Sequence, residues 1–319
     1  GTVNTSLSND TNDPIDVTFT FTPTLIGCTD GTPVDVVVTV EPTPVLTTSL
    51  TTPSVICNGD NVNIDIASLA NSSTPGDMTY GISVASSTGD LDDITGEEAV
   101  NGLTGQSYPG NVNTNLVNTT TSDITVTFTF TPELAGCVDG ASEDVVVILE
   151  PTPTINTILN TPSTICNSGS VNISVTNPGV SSVPGALTYG VLVTSSTGNL
   201  NDITGEESIN GLIGQVYPTN IVTTLTNNTS SNIEVTFSFI PELAGCPDGV
   251  PDNIVITVEP TPTLDPLLNT AAVICDGDNV DITVNNTAAS SIPGNLTYAV
   301  TILSSTGSLN DITGEEAID

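Results

Sequence analysis

The chain has 319 residues and contains no lysine, no arginine and no histidine against 36 aspartates and glutamates, a formal net charge of −36. No side-chain salt bridge can form, so each carboxylate must be solvated, hydrogen-bonded to an uncharged donor or neutralised by a bound cation. The summed field repels other polyanions, and phosphate recognition needs Lys and Arg, so nucleic acid and anionic membrane are poor partners and no nucleic-acid binding is expected. Without His and Lys the chain lacks the commonest general base, the Schiff-base nucleophile and the usual transition-metal ligand. Ser-His-Asp, Cys-His and His-based zinc chemistry cannot be built. Carboxylate-pair chemistry, as in glycoside hydrolysis, is the one common acid–base mechanism left, but with 3% aromatic residues and no Trp there is no sugar platform beside the acids. We therefore expect no enzyme. No segment has a helical period or a membrane-spanning apolar run, so direct membrane insertion is not expected either.

What is present is mostly Val, Ile, Leu, Ala, Thr, Asn and Ser, with 37% hydrophobic residues overall. β-Branched residues at this density favour strands. The six cysteines expose a repeat: Cys28, Cys137 and Cys246 are each 109 residues apart, as are Cys57, Cys166 and Cys275. VTFTFTPTLIGCTDG (17–31), VTFTFTPELAGCVDG (126–140) and VTFSFIPELAGCPDG (235–249) are copies of one element. So are STGDLDDITGEE (87–98), STGNLNDITGEE (196–207) and STGSLNDITGEE (305–316). A period of this length matches one domain per repeat and is too long for short solenoid units.

Within a repeat, Val126, Phe128 and Phe130 alternate with Thr127, Thr129 and Thr131, the pattern of a half-buried strand. Further strands are predicted over 45–50, 62–66, 78–84, 112–117 and 145–149, with a weaker one near 98–103, about seven in all. Seven short strands separated by Asn-Gly, Pro-Gly and Asp-Gly turns fit an all-β fold of tandem immunoglobulin-like sandwiches. Each repeat ends in Glu-Pro-Thr-Pro (41–44, 150–153, 259–262), whose prolines hold a short extended linker. The expected division is 1–43, the C-terminal part of a repeat; 44–152 and 153–261, complete repeats; and 262–319, the N-terminal part of another. Residue 319 falls at repeat position 101 and residue 1 at position 110, eight short of joining in register. Either the chain is a stretch of a longer repeat polymer, or head and tail of successive subunits complete one sandwich.

The segments ICNGDNVNI, LVNTTTSDITVTFTFTPELAGCVDG and DVVVILEPTP resemble the PKD-like, immunoglobulin-fold repeats of large Bacteroidota surface proteins. The resemblance runs over nearly the whole chain, three times. It implies secretion, by the type IX route, and a place in adhesins, gliding or filaments. It carries no catalytic residues. That family often has a Trp in the third strand, where this chain has Tyr80, Tyr189 and Tyr298.

Four features are candidate sites. The acidic loop of each repeat, Asp93, Glu97 and Glu98, then Asp202, Glu206 and Glu207, then Asp311, Glu315 and Glu316, offers oxygen ligands of the kind calcium takes; its plain alternative is a solvated turn. Sequons at Asn71, Asn118, Asn172 and Asn295 are mostly chance in a chain so rich in Asn, Thr and Ser. Thr-rich strand faces could meet ice or glycans by repetition, but are the ordinary polar faces of a sandwich. Six cysteines with no His and no Cys-x-x-Cys read as disulfides. Cys57 sits at the turn between the first two strands and Cys137 in the hairpin between the last two, at opposite ends of one sandwich. Strands near eight residues rising about 3.4 Å each put those ends roughly 25 Å apart, beyond the roughly 7 Å a disulfide spans. Cys57–Cys246, a staple between repeats, is the favoured pair, with Cys28, Cys137, Cys166 and Cys275 bonded to repeats or subunits beyond this stretch. Cys57–Cys137 with Cys166–Cys246, or Cys137–Cys166, or free thiols, remain as alternatives.

The expected function is a structural extracellular rod at the cell surface, an adhesin stalk or a filament subunit, that self-associates or continues as a longer repeat chain. The competing class is a cell-surface adhesin module that binds glycans, through calcium or without it. Because the carboxylates repel one another and salt screens that repulsion, the melting temperature is expected to rise from low to high ionic strength. A melting curve unmoved by both sodium chloride and millimolar calcium would contradict that electrostatic argument.

Overall fold

The protein is described from a computed structural model over residues 1–74, 76–183, 185–292 and 296–314. Among these residues there are only strands and one-turn 3₁₀ helices. In chain order the strands are β1 (Ile15–Phe21), β2 (Val34–Val40), β3 (Leu46–Leu50), β4 (Val55–Ile56), β5 (Asn61–Ser68), β6 (Met78–Ser86), β7 (Ile94–Thr95) and β8 (Gln106–Ser107). They continue as β9 (Gly110–Asn115), β10 (Val117–Asn118), β11 (Ile124–Leu134), β12 (Glu143–Leu149), β13 (Asn156–Leu159), β14 (Thr164–Ile165), β15 (Gly169–Thr176) and β16 (Leu187–Ser195). The last are β17 (Ile203–Thr204), β18 (Leu212–Gln215), β19 (Thr219–Asn227), β20 (Ile233–Leu243), β21 (Asp252–Val258), β22 (Leu264–Leu268) and β23 (Ile282–Asn286).

Two compact units are present. The first comprises Gly1–Thr154 with Pro178–Thr188 and Pro241–Val250; the second comprises Ile155–Asn177, Tyr189–Ile240 and the chain from Pro251 onward. The first sandwich, in the first unit, packs the sheet β3-β5-β9 against the sheet β4-β12-β11-β6-β8. β3 pairs antiparallel with β5 in one sheet, whereas β4 runs parallel to β12 in the other. They are two halves of one strand that changes sheets at Thr52-Pro53, so the main sheets hold seven strands. That crossing and the antiparallel order β12-β11-β6, in which β6 and β11 are neighbours although four strands separate them in the chain, define an immunoglobulin-like sandwich.

The alternation that predicted β11 is what builds the core. Along Ile124–Leu134 every second side chain is buried and the intervening threonines and Glu133 are half-exposed. Phe128 and Phe130 are completely enclosed, with Val62, Ile64, Ile66, Ile94, Leu116 and Val147 around them. In place of a tryptophan, Tyr80 packs 5.0 Å from the Tyr108 ring and 6.4 Å from Phe130. A Cβ on Gly110 would come within 1.8 Å of the Tyr80 hydroxyl, so this ring needs a glycine beside it. Burial raises the pKa of both phenols, that of Tyr108 to about 12, with Tyr80 and Glu133 adding to it.

The second sandwich has the sheets β13-β15-β19-β17 and β14-β21-β20-β16-β18 and its own core around Phe237, Phe239 and Tyr189. Tyr189 again packs 5.0 Å from a second tyrosine, Tyr217. Flanking these are the hairpin β1-β2 and the pair β22-β23, each a two-stranded sheet.

One predicted strand is not formed. Glu98 to Leu103 folds as a turn, with Glu97–Ala99 in a 3₁₀ helix whose Glu97 carbonyl accepts from Val100 and Asn101 N–H. Gly96 and Gly102, at φ 98° and 78°, reverse the chain on either side, and the edge strand is β8 instead.

Because Phe237 is fully enclosed, Phe237→Ala should cost about 3–5 kcal/mol and lower the denaturant midpoint accordingly. A loss below about 1 kcal/mol would mean the core is not as described.

Candidate functional site

The chemistry of this chain concentrates at the ends of the sandwich strands, around the Pro-Thr-Pro linkers. Cys57 opens a tight turn, Cys57-Asn58-Gly59-Asp60. Gly59 takes φ 85°, Asp60 N–H bonds the Cys57 carbonyl at 3.1 Å, and an Asp60 carboxylate oxygen accepts the Cys57 N–H at 3.1 Å. Asn58 anchors the turn. Its amide donates to Thr152 Oγ1 at 2.6 Å in the linker and to the Asn118 carbonyl at 3.1 Å, while its oxygen accepts Asn118 N–H at 2.7 Å. Cys246 sits on the turn after β20, where Gly245 at φ 85° allows Cys246 N–H to bond the Leu243 carbonyl at 2.9 Å. The same turn is held to the linker at Gly249, where a Cβ would lie 1.9 Å from the Pro153 carbonyl.

Both turns belong to the first unit, and there Cys57 and Cys246 are joined by a disulfide with their Cα atoms 5.4 Å apart, within the ordinary range. The bond therefore links the first cysteine of one repeat to the second cysteine of the next. Cys28, Cys137, Cys166 and Cys275 are exposed and form no disulfide within this chain. The turn carrying Cys166 copies that of Cys57: Asn167 donates to Thr261 Oγ1 at 2.6 Å and to the Asn227 carbonyl at 3.0 Å. The turn carrying Cys137 copies that of Cys246, with the Leu134 carbonyl accepting at 2.9 Å and Gly140 pressed on the Pro44 carbonyl.

A second device recurs at each Glu-Pro-Thr-Pro and was not anticipated. The Glu150 side chain is 2% exposed and accepts from Ser182 N–H at 3.1 Å and from the Ser182 hydroxyl. Glu41 does the same with Ser73, and Glu259 with Ser291. Beside the Glu150 and Glu259 clamps the backbone adds a short parallel bridge. Val180 N–H bonds the Thr121 carbonyl at 3.0 Å and Asp123 N–H bonds the Val180 carbonyl at 3.1 Å; Ala289 is held likewise by Ser230 and Asn232. For Glu259, burial pushes the carboxyl pKa up, but hydrogen bonds from Ser291 and Ser290 outweigh it and leave the pKa lowered. The sequence signal was available, since Glu and Ser recur 32 residues apart at every 109-residue step.

Asn118 is also part of this end. It is buried, donates to the Ser122 and Leu149 carbonyls at 2.7 and 3.1 Å, and accepts Thr120 N–H at 2.8 Å. Asn227 and Asn9 make the equivalent bonds to Ser231, Val258, Asp13 and Val40. The Asn-x-Thr at 118 is thus a structural bracket, inaccessible to a glycan.

The acidic loops do not gather their carboxylates on a common centre. Asp93 lies at the end of the 3₁₀ turn Leu91–Asp93 and Asp202 at the end of Leu200–Asp202, and their backbone carbonyls accept Thr119 and Asn228 N–H. Glu98 and Glu207 each accept the N–H of the glycine two residues before, at 2.7 Å. Asp311 is in an exposed turn, and Glu315 and Glu316 lie outside the described residues, as does the sequon asparagine Asn295. Among the described residues no three Asp, Glu, Cys or His side chains form a group that could hold a metal ion. Glu97 and Glu206 are instead buried, each with one carboxyl oxygen lacking a partner. Burial raises both pKa values, with Glu98 and Asp92 adding to Glu97 and Glu207 adding to Glu206.

No family model and no curated protein matches the chain. Among solved structures it is similar to a point mutant of Salmonella α-2-macroglobulin at 12% identity, over 73% of this chain and 18% of that one, with a TM-score of 0.28. It is also similar to fibronectin(III)-like modules of Clostridium thermocellum CbhA (13% identity, 66% and 94% covered, TM-score 0.23) and to the D0–D1 domain of intimin (11%, 66% and 96%, 0.21). The chain spans about a fifth of the α-2-macroglobulin chains it matches. At these scores the likeness carries no function, and the fold rests on the sheets described above. Among the described residues no helix is long and apolar enough to cross a membrane.

A carboxyl whose folded pKa is raised stabilises the fold below its ordinary value near 4.3, and that contribution is lost as pH rises through the folded pKa. Glu97→Gln and Glu206→Gln should therefore raise the melting temperature at pH 7 and flatten its fall between mildly acidic and neutral pH. If both variants keep the full pH slope, these two acids are not its source.

Proposed function

We propose that this chain is a non-enzymatic, extracellular structural rod segment, the stalk of an adhesin or a subunit of a filament, built from serial immunoglobulin-like sandwiches of the PKD-like kind found in Bacteroidota surface proteins. The observation that carries this reading is the Cys57–Cys246 bond, which ties one repeat to the next rather than closing either on itself. It adds to the glutamate clamp and the proline linker at the same place, so three independent restraints act where a string of beads would ordinarily bend. A disulfide spanning 189 residues also removes on the order of 5 kcal/mol of unfolded-chain entropy. Such a bond persists in oxidising surroundings, which supports secretion. The one-sided charge supports the same role, because like-charged rods repel and stay dispersed.

Small-angle scattering and imaging of the full chain, oxidised and as Cys57→Ser, test the proposal. The oxidised chain is expected to give one extended, narrow distance distribution, and Cys57→Ser a broader and shorter one at unchanged circular dichroism. A flexible string in the oxidised form, or identical distributions for both, would refute the rod.

A further inference from the structure

Away from the disulfide, the first unit holds an open cavity of about 360 Å³ where the loop from β5 to β6 meets β8. One part of its lining is apolar. Ala70 and Met78 belong to a small buried cluster with Leu134, and Tyr108 packs against that cluster. The Tyr108 ring is held in turn by Tyr80, 5.0 Å away, so the aromatic wall is fixed in place. The rest of the lining is hydroxyl and amide: Ser68, Asn71 and Ser72 on one side and Ser107 of β8 on the other.

The polar side is built by the protein itself. Ser68 Oγ donates to the Ala70 carbonyl at 2.7 Å, Ser72 Oγ accepts Thr74 N–H at 3.2 Å, and Asn71 N–H bonds the Asn12 carbonyl at 2.8 Å. The two carboxylates that reach this loop are occupied, Asp13 by the Asn71 amide at 2.7 Å and Glu41 by Ser73. No carboxylate lines the cavity, although the chain carries 36 of them. The Ser107 hydroxyl and the Asn71 side-chain oxygen have no partner among the described residues.

The polar lining is particular to this repeat. One period on, Asn71, Thr74 and Ser107 are replaced by Val180, Val183 and Val216, within a sequence that otherwise repeats closely. In that next repeat the same loop follows a complete sandwich, and Val180 and Val183 are still 56% and 48% exposed. A preceding sandwich therefore leaves this part of the surface open.

We propose that the cavity binds an uncharged hexopyranose, the neutral terminal sugar of a glycan, with its C–H face on Tyr108 and Met78 and its hydroxyls on Asn71, Ser72 and Ser107. A ligand that is apolar on one face and hydroxylated around its rim matches a wall of that composition. The volume lies in the usual range for small-molecule sites, which combine an apolar lining with a few fixed polar groups. Tyrosine suits the apolar contact because its ring is large and rigid. The strongly negative field of the chain disfavours acidic sugars, and the absence of a lining carboxylate leaves nothing to hold an amino sugar. The aromatic surface missing beside the acidic loops is thus present here. This inference goes beyond the rod reading and does not depend on it, since a rod segment can carry such a site on one repeat.

Saturation-transfer NMR on the full oxidised chain tests it, with methyl β-D-glucopyranoside, methyl β-D-galactopyranoside and methyl α-D-mannopyranoside as neutral probes and N-acetylneuraminic acid as the acidic one. At least one neutral probe should give a saturable signal, and the acid none. Asn71→Val and Ser107→Val introduce the residues that the next repeat already carries, and each should weaken binding about fivefold or more, with the melting temperature unchanged. Ser107 is exposed, so its variant keeps the fold even if Asn71→Val does not. Silence from all the neutral probes, a signal that survives Ser107→Val at full strength, or equal binding of N-acetylneuraminic acid would overturn the proposal. None of these results bears on the scattering that tests the rod, so the two readings fail separately.

Discussion

With no cationic side chain anywhere in the sequence, every carboxylate in this fold must be met by an uncharged donor, by water or by a bound cation, and the arrangement of the protein follows from that constraint. Strand-face aspartates pair with threonines across the sheet, as Asp144 does with Thr129 and Asp35 with Thr20, and Asp252 pairs with Thr157 of the other sheet, at 2.6 Å in each case. Glu133 and Glu242 reach the hydroxyls of Thr79 and Thr188. At the linkers, glutamates take serine hydroxyls and backbone N–H groups. A hydrogen bond to a charged acceptor contributes about 1.5–3 kcal/mol, so uncharged donors can stabilise a buried carboxylate where an ion pair is impossible. The abundance of Thr, Ser and Asn is the other half of the charge imbalance.

The same constraint explains why the turns around the linker are joined by a disulfide and by hydrogen bonds to uncharged donors. Salt-bridge networks between domains are unavailable, and long-range repulsion tends to drive neighbouring domains apart. The Cys57–Cys246 bond, the Glu150–Ser182 clamp and the Val180 bridge act together at one short linker. Gly140 and Gly249 let the hairpin tips come against the linker carbonyls, which a side chain there would prevent. Because the repeat is strict, the same turn residues present Cys166 and Cys137 in the frames that Cys57 and Cys246 occupy.

Much of this was legible in the sequence because its signals are periodic at two scales. The alternation in Val126–Phe130 marks a strand with one buried face, and the 109-residue spacing of cysteines and Pro-Thr-Pro marks the unit of architecture. The weaker strand near 98–103 was misread because Glu-Glu-Ala-Val looks like a short apolar edge, whereas the glycines at 96 and 102 turn the chain. The role of the acidic loop was obscured for a related reason. Composition cannot distinguish a carboxylate aimed at a shared centre from one that caps its own backbone, as Glu98 does, or one folded inward, as Glu97 is. Asn118 reads as part of a chance sequon, and only its burial shows its structural role. The glutamate clamp joins residues 32 apart with no intervening pattern, and only the fold brings them together.

Everything said about the junction depends on which cysteines are joined, and peptide mapping of the folded protein without reductant addresses it directly. Trypsin has no site, but cleavage before aspartate yields 35–59, 123–138 and 202–247, which carry Cys57, Cys137 and Cys246 separately. The structure predicts a disulfide-linked pair of 35–59 with 202–247 that separates on reduction. A linked pair of 35–59 with 123–138 would place the bond inside one repeat and contradict the account.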